Sequence, residues 1–147
     1  MNISRIERPQ RTLRLCVGTK KYMDINSITG DILDASIEVH KTLGPGLLES
    51  IYEHALKREL ELRGHTVCNQ VPVEVIYKGV NVASDLKLDM IVDDTVIIEL
   101  KSVEEIKDVH YKQILTYLRL LKKQVGVLIN FNVVLLKDGY HRVVNNF

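Results

Sequence analysis

Three charged residues near the middle of the chain have the types and spacing of a phosphoryl-transfer site: Asp89, Glu99 and Lys101. Carboxylates on two adjacent antiparallel strands can converge on a hard divalent cation such as Mg²⁺, which takes oxygen ligands and keeps part of its water shell. A neighbouring lysine can then hold an attacking water and offset charge in the transition state. Phosphodiester hydrolysis uses that set of parts. The competing account is a Glu99–Lys101 or Asp89–Lys101 salt bridge on a half-exposed sheet face, worth about 0–1 kcal/mol if exposed. A short D…ExK pattern is weak in isolation. Its position strengthens it, with the aspartate late in one predicted strand and the Glu-x-Lys closing the next.

Those strands come from a change of period in the middle of the chain. Val71, Val73, Val75 and Tyr77 alternate with other residues, Lys78-Gly79 makes a turn, and Val80 to Val92 reads as a second strand. Within it, regular alternation places Asp85, Lys87 and Asp89 on one face and Leu86, Leu88 and Met90 on the other. Asp93-Asp94 turns into Thr95 to Lys101, a short β-branched strand in which Glu99 and Lys101 share a face. These three strands form an antiparallel meander.

Helices surround the meander. Ile28, Ile32, Ala35, Val39 and Leu43 mark one face of a helix with Ser27 as N-cap, and Gly44-Pro45-Gly46 stops it. A second helix runs from Leu47 to about Arg63, burying Leu48, Ile51, Tyr52, Ala55, Leu56 and Leu60, with Gly64 as its stop. Glu104 to about Lys122 is the third helix. The apolar run Val125 to Phe131 reads as a central strand covered on both faces. A last hairpin pairs Val133–Leu136 with His141–Val144 around Lys137-Asp138-Gly139. The expected fold is one α/β domain, residues 24–147, with a mixed sheet between helices.

Length and charge bound what this domain can do. At 147 residues, 46% hydrophobic, the chain can bury a real core, which excludes a disordered tract or a disulfide-stapled miniprotein. Its formal net charge of +1 argues against a uniformly basic nucleic-acid clamp, but the average hides a split. Residues 1–21 carry a net +5, from Arg5, Arg8, Arg11, Arg14, Lys20 and Lys21 against Glu7, while residues 22–147 carry −4. Residues 1–23 lack periodicity and read as a flexible basic leader, a solvated tail rather than a transit peptide. Cys16 and Cys68 give neither metal-ligand pair spacing nor a disulfide framework, and a reducing cytoplasm is the default. No apolar run is long enough to span a bilayer, and the start lacks the apolar region of a secretory signal.

Gly46-Leu47-Leu48-Glu49-Ser50-Ile51-Tyr52 reads as G-x-x-E-x-x-Y, preceded by Ile37-Glu38-Val39-His40-Lys41-Thr42-Leu43-Gly44-Pro45. With Leu88–Val92, Ile98–Val103, Gln113–Leu118 and Gly126–Phe131, the chain resembles the GxxExxY protein family over roughly residues 27–145. That family is placed in the PD-(D/E)XK nuclease-like superfamily. The resemblance implies a restriction-endonuclease-like core, with a mixed central sheet built from the meander and a strand reached by a crossover helix. It also implies nuclease activity with Mg²⁺ or Mn²⁺. Asp89 would be the metal-binding aspartate, Glu99 the second metal carboxylate, Lys101 the catalytic lysine and Glu49 the first-helix acid that completes the site. Gln113 and Tyr117 match a Q-x-x-x-Y element that RecB-type nucleases carry beside the metal centre. The basic leader departs from the family pattern.

Simpler roles exist for several of these positions. With Gly46 as N-cap, Glu49 would sit at the third helical position and close a capping box. Gln113 and Tyr117, one turn apart, could be an ordinary helix face bonding the sheet. His40 and His110 read as structural or surface histidines, because Mg²⁺ sites are built from oxygen. Asp85 reads as peripheral, and Asp93 and Asp94 as turn residues. Two functional classes follow: a metal-dependent nuclease acting on DNA or RNA, and a catalytically inactive module of the same fold that binds nucleic acid or a protein partner. A homodimer is an open option, and the basic leader could contact phosphates.

Overall fold

The computed structural model describes residues 23–146, so the expected leader lies outside the described residues apart from Met23. Five strands form one mixed sheet between helices. In chain order the elements are α1 (Ile25–Leu43), α2 (Glu49–Leu62), β1 (Val67–Pro72), β2 (Ile76–Tyr77), β3 (Val80–Asn81), β4 (Lys87–Val92), β5 (Val96–Lys101), α3 (Asp108–Leu121), β6 (Val125–Asn130), α4 (Leu136–Gly139) and β7 (Tyr140–Val144). The main sheet runs β1-β4-β5-β6-β7, and β2 and β3 make a separate two-stranded hairpin. Only β5 and β6 are parallel; the other neighbours in this sheet are antiparallel. Helix α3 supplies the crossover that parallel neighbours require. This is the expected restriction-endonuclease-like architecture.

Alternation along the strands builds two cores. Val96, Ile98 and Leu100 of β5 pack with Ile28, Ile32, Tyr52, Leu56 and Leu60 of α1 and α2. Ile97 faces the other way, toward Ile114, Tyr117 and Leu118 of α3. β6 is buried on both faces along its whole length, as its unbroken apolar run predicts. At the sheet end formed by the β4–β5 turn, the ring nitrogens of His65 lie 2.6 Å from Asp93 and 2.8 Å from Asp31. Asp93 also accepts the Thr66 N–H at 2.9 Å, so His65 and Asp93 together tie α1 and the start of β1 to the β4–β5 turn.

Several boundaries differ from the sequence reading. Helix α1 starts at Ile25, so Ser27 is inside it rather than at its cap. Helix α2 starts at Glu49 with Leu48 in the cap position, which removes the Gly46 capping box. Leu48 is 72% exposed and Ile51 is exposed too, so the buried stripe of α2 is Tyr52, Leu56 and Leu60. The first strand begins at Val67 and ends at Pro72, although Val73 beyond it stays buried and donates to the Leu86 carbonyl at 2.8 Å; only Ile76 and Tyr77 belong to the small exposed hairpin. Helix α3 starts at Asp108, not Glu104.

The predicted strand at Val133–Leu136 is absent: Val134 is 90% exposed, and Leu136–Gly139 form a short helical turn. The ladder of β7 begins at Tyr140, paired with Ile129, so the chain must reverse between Asn130 and Tyr140, which leaves no room for another paired strand. Gly139 permits the reversal, since a Cβ there would stand 2.1 Å from the Asn130 carbonyl oxygen.

Candidate active site

The regular ladder between β4 and β5 stops at Met90 and Ile98. One residue further, the carboxylates take over the backbone's role. The Asp89 N–H donates to Glu99 Oε1 at 3.1 Å, and the Leu100 N–H donates to Asp89 Oδ2 at 2.8 Å. Two backbone donors freed by splaying the strands are thus satisfied by the two acids of the D…ExK pattern, which fixes both side chains. The alternation expected for β4 breaks here as a result. Leu88 packs with the α3 core and Met90 with the α1–α2 core, so they lie on opposite faces instead of sharing one.

Burial gives this pair unusual electrostatics. Glu99 is 3% exposed. Burial first, and the charge of Asp89 second, push its carboxyl up to about 8. Asp89 is raised as well, again chiefly by burial, against the opposing hydrogen bond from Leu100. Both shifts oppose ionising the two neighbouring carboxyls together. Lys101, half-buried at the end of β5, lowers both groups through its charge. Among the described residues its ammonium forms no ion pair, so the salt-bridge account of Glu99 and Lys101 does not hold.

Helix α3 closes the site from one side. The Tyr117 hydroxyl is 3.3 Å from Gln113 Nε2 and 3.5 Å from the Lys87 carbonyl. Burial, then the charge of Glu99, raises the Tyr117 hydroxyl, which places the phenol within electrostatic reach of the acid pair. Gln113 is exposed, with its amide turned to that hydroxyl.

Helix α2 closes the other side, in a way the sequence reading foresaw only in part. Glu49 is exposed at the helix start, where its Oε1 accepts the Ser102 N–H at 3.3 Å, just past Lys101. The α2 acid whose charge reaches Asp89 is Glu53, one turn further on and 8% exposed. Sequence reasoning missed Glu53. The available signal was a glutamate four residues after Glu49, directly beside the buried Tyr52.

The loop bearing Glu49 is tied down by Tyr52. Its hydroxyl donates to the Gly44 carbonyl and accepts the Leu47 N–H at 3.1 Å, while its ring stacks on Phe131 at 4.4 Å. Gly46, at φ 98, takes the backbone angle that this turn needs. Ser102 is held by donating to the Leu47 carbonyl at 2.8 Å, and Val103 by Asn130. His40 accepts a structural role against the Val133 carbonyl at 2.7 Å, and His110 Nδ1 takes the Lys107 N–H at 2.9 Å. Asp85 is exposed at the periphery.

The donor set fits a hard divalent cation. It is made of carboxyl oxygens, without thiolate or imidazole, and two of the carboxyls are held at adjacent strand ends. Among the described residues no group of three or more His, Cys, Asp or Glu forms a preformed cage. A cation that keeps several waters is bound through one or two carboxylates, and Asp89 and Glu99 supply that number.

A five-strand mixed sheet flanked by helices, with an aspartate and a Glu-x-Lys at the splayed ends of adjacent central strands, defines a nuclease-fold protein. A family model described as the PD-(D/E)XK nuclease superfamily matches residues 26–143, and the chain belongs to that superfamily. No curated protein and no solved structure gives a significant match. Among the described residues no helix is long and apolar enough to cross a membrane.

Proposed function

We propose that the chain is a divalent-cation-dependent nuclease that hydrolyses phosphodiester bonds in DNA or RNA. The observation that carries this reading is the mutual hold of Asp89 and Glu99 across the splayed strands, beside the Lys101 ammonium, which forms no ion pair among the described residues. Asp89 and Glu99 would hold Mg²⁺ or Mn²⁺, with Glu49 and Glu53 on α2 beside them. When bound, such a cation would supply a water of lowered pKa and offset charge on the phosphate. Glu99 must release its proton for the cation to enter. Lys101 orients the nucleophilic water and compensates the charge that develops on the phosphoryl oxygens. Tyr117, steadied by Gln113, reaches the Lys87 carbonyl of β4 and braces the strand that carries Asp89.

The test uses the purified full chain on single-stranded, double-stranded and branched DNA and RNA, with Mg²⁺ or Mn²⁺. Cleavage is expected, and Glu99→Gln and Lys101→Ala should each reduce it by at least ~100-fold, the usual cost of losing one preorganised electrostatic group. Turnover that survives both substitutions unchanged removes the proposal. Salt-sensitive binding without turnover under either cation would put a binding module in its place.

A further inference from the structure

Glu53 is a buried carboxylate held by one neutral side chain. Gln70 Nε2 lies 3.1 Å from Oε1 and 3.0 Å from Oε2, so the amide spans both oxygens of the acid. Among the described residues no cation pairs with Glu53. Lys57, one turn along α2, is turned instead to Asn69 at 3.5 Å and to Glu61 at 3.7 Å. An amide can satisfy a buried carboxylate without cancelling its charge, which a lysine or arginine at the same place would do.

The backbone of Gln70 is equally particular. Its φ is 51, a left-handed conformation that costs a non-glycine residue and persists only where the surroundings enforce it. Gln70 stands between the pairs Asn69↔Met90 and Val71↔Leu88, which places it across from Asp89. Cys68 and Val71, three residues apart, both pack in the α3 core, so the alternation of β1 breaks at this position as that of β4 breaks at Asp89. The two interruptions face each other. One frees Asp89 for Glu99 and Leu100; the other carries the amide to Glu53 on α2.

We propose that Gln70, across from Asp89 in the β1–β4 register, is a positioning residue of the site: its neutral amide fixes the Glu53 carboxylate on α2 and so strengthens cation binding by the Asp89–Glu99 pair. This rests on the reading of that pair as a divalent-cation site.

Calorimetric titration of the full chain with Mn²⁺ tests it, without reference to turnover. Gln70→Asn keeps an amide that tolerates the left-handed backbone but falls one methylene short of Glu53. Gln70→Lys spans the distance and neutralises the acid. Both should weaken Mn²⁺ binding by about 10-fold or more, the scale on which outer partners of metal ligands act. Glu53→Gln should do the same, and Gln70→Asn added to Glu53→Gln should cause no further loss, because the two act through one contact. A residue that served stability alone would lower the melting temperature of the Gln70 variants and leave their Mn²⁺ affinity at the wild-type value, which would overturn the proposal. If Asp89→Asn abolishes Mn²⁺ binding while the Gln70 and Glu53 variants bind as wild type, the positioning role alone falls. If wild type and Asp89→Asn bind Mn²⁺ equally, the cation-site reading falls and the role of Gln70 falls with it.

Discussion

Replacing Glu99 by glutamine should make the protein more stable at alkaline pH, and the size of the effect follows from the site. The carboxyl moves from an ordinary 4.5 in the unfolded chain to about 8 in the fold. Between those values the folded state holds a proton that the unfolded state has released, so stability falls as pH rises. The slope is at most about 1.4 kcal/mol per pH unit. It flattens as the folded group itself ionises, leaving about 2 kcal/mol lost between pH 6 and pH 8. For a domain of this size that is roughly 5–10 °C in melting temperature. Glutamine cannot ionise but resembles the protonated acid, so in chelator the wild type should lose stability over this range relative to Glu99→Gln. Differential scanning calorimetry at intervals of half a pH unit reads the difference directly. Adding Mn²⁺ should oppose the trend in wild type alone, because cation binding demands the ionised pair and therefore tightens with pH. Parallel melting profiles for the two proteins in chelator would refute the argument that Glu99 is held protonated by burial and by Asp89.

Tyr52→Phe keeps the stack on Phe131 but removes the hydroxyl that joins Gly44 to Leu47; a loss of about 1–2 kcal/mol in urea denaturation is expected, with faster hydrogen exchange at Leu47. Wild-type exchange at that amide in the variant would show that the hydroxyl does not hold the loop. Deleting residues 1–21, which carry a net +5, should weaken nucleic-acid affinity and flatten its dependence on salt while leaving Mn²⁺ binding unchanged. An identical salt slope in filter binding, with and without the segment, would remove the basic leader from the interface.

The broad order of elements was legible because helical and strand periods differ so clearly: Ile28, Ile32, Ala35 and Val39 do line a buried helix face, and Val125–Asn130 is a strand buried on both sides. Asp89, Glu99 and Lys101 were legible because acids and a lysine beside Ile97, Ile98 and Leu100 are expensive unless something uses them. What escaped depends on contacts distant in sequence. Gln70 and Glu53 meet across 17 positions, and neither alternation nor propensity marks either residue. Val133–Leu136 looked like a strand because apolar β-branched residues favour one, yet β6 already has β5 on one side and β7 on the other, so no ladder was left to join.

The same reasoning explains why regular alternation failed at Asp89, the residue to which it had been applied with most purpose. A continuous β4–β5 ladder would pair Asp89 with Glu99 through the backbone and leave their side chains free. In the structure the ladder ends one step earlier, and the side chains accept the backbone donors themselves. Each acid thereby gives up freedom of rotation and gains a fixed direction, at the cost of holding two carboxyls together in a poorly hydrated place. Burial and mutual repulsion then raise both carboxyls, and under the proposed function a divalent cation is the species that would displace a proton and satisfy both acids. The break in the sheet is therefore where the proposed cation site originates: one distortion of two strands orients both acids and brings them together.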